Sequence, residues 1–420
     1  MYIFRSFLHT CNFSRLCTTV VFLPFAVIMI PSSFYQNGGI SMKAVIAIDS
    51  FKGSLTSLEA GKSAADGIRR VFPDAECIIR PLADGGEGTV DALITACGGK
   101  AIELSVTGPL GSPVTCRYGL IKKTQTAIIE MSGAAGITLV PSSERNPLFT
   151  TTFGVGEVIL DAVKRGCRRF IIGIGGSATN DGGAGMLQAL GFSFSDRNGC
   201  PVRPGAIGLK DLVSISDDHV PVELKDCTFL IACDVTNPLC GQKGCSAVFG
   251  PQKGADETMI HEMDQWLLRY AALAGQKYPE ADPAFPGSGA AGGLGFAFRT
   301  FLHGSLESGI QIVLRETRLA DHIKDADLVI TGEGCLDGQT IFGKAPIGVA
   351  RMAKQYGKPV LAFSGCVTSD ASACNEAGID AFFPLLRTVT SLEEAMDPGQ
   401  ASQNMADTVE QVFRLIKAFH

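Results

Sequence analysis

Several common sequence signals are missing from this chain of 420 residues, and their absence argues against several classes of protein. There is no excess of basic charge, since the formal net charge is −6, so a nucleic-acid-binding surface is not expected. An anionic ligand would have to be attracted by local Lys or Arg side chains, backbone N–H groups or a metal. No internal repeat, low-complexity tract or long charge run is present. No Gly-x-Ser-x-Gly motif supports a hydrolase triad.

Cysteine pairs of the Cys-x-x-Cys type are also missing, although the chain contains 14 cysteines. Beyond the first residues, the closest spacing is that of Cys240 and Cys245, which matches no common zinc pattern. We therefore expect free, mostly buried thiols in a reducing compartment, and we predict a cytoplasmic protein.

The chain also lacks an apolar run that would cross a membrane comfortably, because the run at 20–30 is short and contains a proline. Two arginines precede this run, but no Ala-x-Ala-like cleavage site follows it. Gly38-Gly39 lies just before Met42, and two glycine codons can read as a bacterial ribosome-binding sequence. We expect residues 1–41 to be a non-native extension and Met42 to be the start. A signal, an anchor or genuine structure are the alternatives.

Length and composition indicate a globular α/β protein with two or three domains. The sequence has 49 glycines and is 46% hydrophobic, which is typical of α/β enzymes with many strand-to-helix turns. Strand–loop–helix units begin at Lys43–Ile48 and Cys77–Leu82, and further units begin at Leu328–Ile330 and Val360–Phe363.

The middle of the chain has a different pattern, in which short strands alternate with Gly/Pro turns and suggest an antiparallel insertion. We predict one parallel-sheet domain from residues 42–106 and 298–420, interrupted by a second α/β domain at 107–297. The short strands are expected at 102–106, 114–120 and 127–130. Helices are expected at 251–274 and 409–419, and the strand at 328–330 is expected to end before Thr331–Gly334.

A glycine-rich loop, Gly173–Gly185, follows the apolar run Phe170–Ile172. Glycines let backbone N–H groups approach an anion closely, and residues 182–190 read as a helix whose positive end would face that anion. We expect the loop to handle phosphate. Its candidate residues are Gly175, Gly176, Ser177, Thr179, Asn180, Asp181, Gly182 and Gly183.

Acidic residues in glycine-rich settings follow four of the predicted strands. In open α/β sheets, ligands bind beyond the carboxyl ends of the strands, so at least half of these acids should share one cleft. Convergent carboxylates suit Mg²⁺, which takes oxygen ligands and shares them with phosphates. The acids are Asp49, Asp84 with Glu87, Asp234, and Glu333 with Asp337, to which the loop adds Asp181.

Two segments that look like P-loops are poor matches. Gly338–Ala345 ends in alanine, so the hydroxyl that should hold Mg²⁺ is missing, and Thr56–Ser63 begins with threonine inside an apparent helix. Lys344 can still bind phosphate in another geometry. The match of the loop at Gly173 to a dinucleotide fingerprint is weak, which disfavours a nicotinamide-dependent oxidoreductase.

Five segments, in order from Met42 to near the C-terminus, together resemble the bacterial type I glycerate kinases. They are Asp49–Leu55, Pro81–Thr89, Gly175–Gly183, Asp234–Leu239 and Thr331–Thr340. The resemblance implies ATP-dependent phosphorylation of D-glycerate, with 2-phosphoglycerate as the usual product. It also implies a Rossmann-like domain with an inserted second domain, and an active site between them. Chains of the family begin near Met42, which agrees with the expected start.

On this interpretation, the glycine-rich loop and the following helix cradle the phosphates of ATP. Asp181 orients or deprotonates the glycerate hydroxyl, or else holds Mg²⁺, with Asn180 beside it. Lys52 pairs with the glycerate carboxylate or the transferring phosphoryl group, and Asp234 is a second candidate for the metal. The other substrate-side candidates are Asp49, Ser50, Asp84, Gly85, Gly86, Glu87 and Asn237. The ATP-side candidates of the Rossmann-like domain are Glu333, Asp337, Gln339 and Lys344.

The predicted partners are therefore ATP, Mg²⁺ and D-glycerate, with no nucleic acid and no membrane, and the expected state is a monomer or homodimer. Another hydroxy-acid or sugar-acid kinase is one alternative, which a substrate panel would separate. A two-domain sensor for an anionic metabolite is another, and such a sensor would bind its ligand without releasing ADP.

Overall fold

A computed structural model describes residues 42–419, so the expected extension at 1–41 lies outside the described residues. The strands in chain order are β1 (Lys43–Ile48), β2 (Glu76–Ile79), β3 (Lys100–Thr107), β4 (Pro113–Ile121), β5 (Thr126–Glu130), β6 (Arg169–Gly173), β7 (Ser193–Ser195), β8 (Ser214–Ser216), β9 (Thr228–Ala232), β10 (Ser305–Glu307), β11 (Leu328–Leu336), β12 (Val360–Val367) and β13 (Ala381–Pro384).

The helices of the same residues are α1 (Ser57–Arg69), α2 (Thr89–Cys97), α3 (Ser132–Ala135), α4 (Phe153–Lys164), α5 (Ala184–Ala189), α6 (Cys245–Phe249), α7 (Glu257–Ala274), α8 (Ala290–Leu302), α9 (Gly309–Glu316), α10 (Leu319–Ile323), α11 (Ala345–Gln355), α12 (Ala373–Glu376), α13 (Leu392–Met396) and α14 (Pro398–Ala418). None of them is long and apolar enough to cross a membrane.

The first sheet has five parallel strands in the order β13-β12-β11-β1-β2. Helices cover both of its faces, since α1 and α14 pack on one side and α9, α10 and α11 on the other. A parallel sheet that is buried on both faces needs near-continuous apolar strands, and the predicted strand Lys43–Ile48 is such a run. The predicted parallel sheet with helices on both faces is therefore confirmed.

The second sheet is mixed and has the order β10-β9-β6-β5-β4-β3. Strands β3, β4 and β5 are antiparallel neighbours, whereas β5, β6, β9 and β10 run parallel to one another. Helices α2 and α9 lie between the two sheets, where Leu93 and Ile310 share a core with Ile128 and Ile171 of the second sheet. The predicted mixed sheet is confirmed, and the two sheets are joined through one apolar layer.

Two strands that fall largely or wholly outside the predicted insertion at 107–297 pair within the second sheet. Strand β3 pairs with β4 from Lys100 onward, and β10 pairs with β9 up to Glu307. We therefore propose that the second domain extends from Lys100 to Glu307. The chain would then pass from one domain to the other just before β3 and return just after β10, the two edge strands of this sheet.

The segment that resembles a P-loop at Thr56–Ser63 is the start of helix α1, as expected. Thr56 is its N-cap: the side chain accepts a hydrogen bond from the Glu59 amide, and the Glu59 carboxylate accepts one from the Thr56 amide. This capping box is a common way to satisfy the free amides of a helix start. The local sequence is therefore explained by helix formation rather than by phosphate binding.

Three elements differ from their predicted bounds. Strand β11 continues through Thr331–Gly334, which we expected to be a loop. The strand can continue because Gly332 lets the backbone of β12 pass closely. A Cβ on Gly332 would lie 1.9 Å from the Phe363 carbonyl oxygen. Helix α14 begins at Pro398 rather than at Val409, since Asp397 caps it by accepting from the Gln400 amide. The predicted helix at 251–274 is interrupted at Gly254, which has a φ of +92°.

Candidate active site

The loop that contains Asp84, Gly85 and Gly86 lies directly on the carboxyl ends of the second sheet. A Cβ on Gly85 would be 2.5 Å from the Ala232 Cβ at the end of β9, and a Cβ on Gly173, at the end of β6, would be 2.0 Å from the Gly85 carbonyl oxygen. Gly85 also has a φ of +92°. Only glycine fits such a close approach, so the glycines of this loop join the two sheets at the edge where ligands bind in α/β proteins.

Four of the predicted acids act on one another at this edge. Burial raises the pKa of Asp49, at the end of β1, to about 7, and the charges of Asp84 and Glu333 add to the increase. Burial and the charge of Asp84 also raise the pKa values of Asp234 and Glu333. Asp84 therefore lies near enough to Asp49, Asp234 and Glu333 for its charge to act on each of these three carboxyl groups.

Backbone amides hold two of these carboxylates, Asp49 and Asp234, in place. The Asp49 Oδ1 atom accepts from the Ser50 amide at 2.7 Å, and the Asp234 Oδ1 atom accepts from the Gly309 amide at 3.1 Å. Asn237, which follows Asp234 along the chain, donates instead to the Lys243 carbonyl oxygen at 2.9 Å. Asn237 therefore closes its own turn and makes no hydrogen bond to the acids.

Lys344 contributes a cation at the side of the first sheet. Its Nζ atom lies 3.2 Å from Asp337 Oδ1 and 3.7 Å from Glu333 Oε2. The Thr340 hydroxyl donates to Glu333 Oε1 at 2.7 Å, so Glu333 is fixed between a hydroxyl and an ammonium group. Gln339, the remaining candidate of this segment, has an exposed side chain.

A cavity of about 600 Å³ lies between the loop after β1 and strands β4 and β5, and Ser50, the chain neighbour of Asp49, is part of its wall. Its wall contains three of the predicted residues, Ser50, Lys52 and Glu87. It also contains Arg117 and Glu130, which we did not predict because neither lies in a glycine-rich segment. The wall also carries carboxylates, and Arg117 is paired with Asp91, so Lys52 is the candidate cation for a small anionic ligand in this space.

Arg117 and Glu130 also organise helix α2 at the cavity wall. The Glu130 Oε1 atom accepts from the Val90 amide in the first turn of the helix at 2.8 Å, and burial raises the pKa of this carboxyl. Arg117 donates to Asp91 Oδ1 at 2.6 Å. The second sheet therefore holds the start of α2 in place through one half-buried acid and one exposed ion pair.

The glycine-rich loop divides into an exposed part and a buried part. Gly175 and Gly176 are exposed, and Gly175 lies near Gly86, since a Cβ on Gly175 would be 3.8 Å from the Gly86 Cα. Ser177, Thr179, Asn180 and Asp181 are buried. Gly182 and Gly183 are also buried: a Cβ on Gly183 would lie 2.4 Å from the Ala297 Cβ of α8. Only Gly175 and Gly176 therefore present backbone to solvent.

The carboxylate of Asp181 is surrounded by donors from its own domain. It accepts hydrogen bonds from the Thr152 amide and hydroxyl, both at 2.8 Å, and from the amides of Gly183 at 3.1 Å and Gly185 at 3.3 Å. Burial raises the pKa of Asp181, and these hydrogen bonds oppose the increase. The anion that sits at the start of α5 is therefore the Asp181 side chain itself.

A buried lysine, Lys253, supports the loop from behind, and no motif in the sequence points to it. Its Nζ atom donates to Ser177 Oγ at 2.7 Å and to the Thr179 carbonyl oxygen at 2.6 Å. Burial lowers the pKa of Lys253 to about 8. The Asn180 amide group donates to Ser246 Oγ at 2.9 Å. Distant parts of the chain therefore fix the conformation in which Gly175 and Gly176 face outward.

The candidate metal ligands lie in different surroundings. The partners of Asp181 are inside the second domain, whereas Asp234 bonds to Gly309 beside Asp84. Between residues 42 and 419, no group of three or more His, Cys, Asp or Glu side chains lies close enough together to hold a metal ion. The acids near Asp84 offer only oxygen donors, the chemistry that Mg²⁺ prefers when phosphates complete its shell.

Comparison with known proteins gives a consistent result over nearly the whole chain. Residues 44–417 match the model of the glycerate kinase family. The chain is 48% identical to the glycerate kinase of Haemophilus influenzae, covering 89% of this chain and 99% of that protein. It is also 48% identical to the glycerate 2-kinase of Escherichia coli, covering 88% and 98%. A crystal structure from Salmonella typhimurium LT2, named as a glycerate kinase 2, has a TM-score of 0.83 at 47% identity, covering 90% and 99%.

Proposed function

Because this chain belongs to the glycerate kinase family, we propose that it transfers the terminal phosphoryl group of ATP to a hydroxyl group of D-glycerate. The observation that carries the proposal is the similarity to several proteins named as glycerate kinases, which covers 88–90% of this chain and 98–99% of each relative. We further propose that the product is 2-phospho-D-glycerate, which fits the name of the Escherichia coli relative.

D-Glycerate, on this proposal, binds in the cavity of about 600 Å³. Lys52, in its wall, pairs with the substrate carboxylate, and Ser50 lies beside it. Asp49 accepts the proton of the reacting hydroxyl, because a carboxyl group with a pKa of about 7 is a better base near neutral pH than an ordinary aspartate. Asp181 then has a positioning role, since its oxygen atoms are bonded to Thr152 and to the start of α5.

On the same proposal, the phosphates of ATP contact the exposed backbone of Gly175 and Gly176 and the ammonium group of Lys344. Exposed glycine amides and a lysine ammonium group are both suitable for phosphate oxygens. Lys344 is already paired with Glu333 and Asp337, so it can exchange a carboxylate partner for a phosphate. Phosphoryl transfer depends mainly on such positioning and on charge neutralisation.

We propose that Mg²⁺ enters the site together with the nucleotide and is held by Asp234 and Asp84. When bound, it would neutralise negative charge on the phosphates. The support for this is the mutual repulsion of the acids: the charge of Asp84 contributes to the raised pKa values of Asp49, Asp234 and Glu333. An added cation would relieve that repulsion.

Phosphorus NMR of the product made from D-glycerate tests activity and regiochemistry together. The phosphorus of 2-phosphoglycerate couples to the single proton on C2 and gives a doublet, whereas that of 3-phosphoglycerate couples to two protons and gives a triplet. Coupled ADP release without acceptor, with L-glycerate, with tartronate and with hydroxypyruvate provides the controls. Binding of D-glycerate without ADP release would refute the kinase and favour a sensor.

We also propose a cytoplasmic protein that acts as a monomer or homodimer without nucleic acid. The support is the net charge of −6 and the free state of the twelve cysteines between residues 42 and 419. Cell fractionation tests the location, and light scattering coupled to size-exclusion chromatography measures the assembly.

A further inference from the structure

Two cysteines face each other across the last paired part of β11 and β12. The register of the parallel strands pairs Cys335 with Cys366, just after the pair formed by Glu333 and Ser364. Neighbouring strands lie about 4.8 Å apart, which is within the Cα separation of about 4.4–6.8 Å found in disulfides. Directly paired residues of parallel strands also project from the same face of the sheet. The two sulfur atoms can therefore be joined without moving the strands apart.

The surroundings of this thiol pair favour oxidation from outside. Cys366 is exposed and Cys335 is half-buried. Cys366, the more exposed of the two, is therefore the thiol that meets an oxidant first, and Cys335 is the thiol directly opposite it.

We propose that Cys335 and Cys366 are a modification site at which a two-electron oxidant such as hydrogen peroxide forms a reversible intrachain disulfide. The Cys366 thiolate attacks one peroxide oxygen, the O–O bond breaks, and the departing hydroxide takes a proton to give water and a sulfenic acid. The Cys335 sulfur gives up its proton and attacks the Cys366 sulfur. The S–O bond breaks, a second water leaves and the S–S bond forms. Two thiols lose two electrons in total, and the peroxide gains both.

Cys374 is the natural competitor and provides the control. It is buried, and its Sγ atom lies 3.7 Å from the Asp337 carbonyl oxygen, near the same end of β11. Cys335 and Cys366 are the cysteines that the β11–β12 register places opposite each other, and Cys374 lies outside that register. The proposal concerns thiol chemistry and is independent of the proposed kinase activity.

The test treats the reduced full-length protein with one equivalent of hydrogen peroxide, blocks the remaining thiols with a maleimide and maps the tryptic peptides. The expected result is a cross-link between the peptide 325–344 and the peptide that contains Cys366, reversed by dithiothreitol. Cys335→Ser and Cys366→Ser should each abolish this cross-link, and Cys374→Ser should leave it unchanged.

Complete maleimide labelling of both thiols after oxidant would overturn the proposal. So would a cross-link that survives in Cys366→Ser and disappears in Cys374→Ser, or a sulfinic acid on Cys366 with no cross-linked peptide. Circular dichroism checks that each variant is folded. If a variant does not fold, fragmentation of the cross-linked peptides of the parent protein locates the linked sulfur, because the tryptic peptide 355–387 contains both Cys366 and Cys374; a link to Cys374 would overturn the proposal.

Discussion

Replacement of Asp49 by asparagine should make the protein more stable and less active at the same time. Asp49 is only 7% exposed, and burial together with the charges of Asp84 and Glu333 raises its pKa to about 7. Asparagine has the same shape and keeps the oxygen atom that accepts from the Ser50 amide at 2.7 Å. The substitution therefore removes the charge and leaves the local hydrogen bond in place.

The size and pH dependence of the effect follow from the raised pKa. The folded protein holds the Asp49 proton more tightly than the unfolded chain, so the parent loses stability as the pH rises from 3.8 towards about 7. The full difference between these two pKa values corresponds to about 4 kcal/mol. The variant escapes this loss, and its free energy of unfolding should exceed that of the parent by about 2 kcal/mol at pH 5.5 and about 4 kcal/mol at pH 8.5.

Urea unfolding at the two pH values measures the free energy, and steady-state turnover of D-glycerate measures the activity. Asp74→Asn, at an exposed position of the same domain, is the matched control and should change neither quantity. A variant whose gain in stability is the same at pH 5.5 and pH 8.5 would refute the electrostatic reasoning. A stable variant with turnover within about threefold of the parent would remove Asp49 from the role of base.

Four further predictions test individual parts of the site. Lys52→Ala should raise the KM for D-glycerate at least about tenfold with no change in stability, because the substrate carboxylate loses a charged partner worth about 1.5–3 kcal/mol. An unchanged KM would contradict the assignment of Lys52 to the substrate carboxylate. Lys253→Met should lower the free energy of unfolding by about 2 kcal/mol in urea, because two buried acceptors lose their donor; equal stability would show that water replaces it. Asp181→Asn should lower that free energy by about 1–3 kcal/mol, since an amide cannot accept from all four donors, whereas a fully stable but inactive variant would favour a catalytic role instead. Gly85→Ala should lower the melting temperature more than Gly88→Ala does. Both glycines have a φ of +92°, but of these two only Gly85 has another atom within 4 Å of an added Cβ. Equal effects would mean that backbone strain, rather than the close contact, sets the loss of stability.

The sequence predicted most of the fold, because the elements at its ends follow local rules. The apolar run Lys43–Ile48 is a strand over its whole predicted length, and Thr56–Ser63 belongs to a helix. These segments depend on hydrophobic pattern and capping, which a single sequence displays. The start of α14 was missed because its first turns are polar and only the cap at Asp397 marks them.

The candidate site was less predictable, since burial and distant partners decide what each polar residue does. Asp181 lies in a loop that looks suited to phosphate, yet Thr152, 29 positions earlier in the chain, supplies two of its hydrogen bonds. Lys253 is 76 positions from Ser177 and carries no motif. Asp49 and Glu333 were found because each comes after a predicted apolar strand, although β11 in fact continues through Glu333, and their mutual influence depends on the register of β1 and β11.

The pairing of β1 with β11 also constrains the order in which this protein folds during its synthesis on the ribosome. The Lys43 amide donates to the Asp327 carboxylate, a contact that spans 284 positions, and β11 covers the inner edge of β1. Chains emerge at about 5–20 residues per second, so β1 waits on the order of 15–60 s for that neighbour. During this interval the mixed sheet between them can be completed on its own. We expect nascent chains stalled before β11 to contain a folded inner domain and an exposed, chaperone-dependent β1–α1–β2 segment.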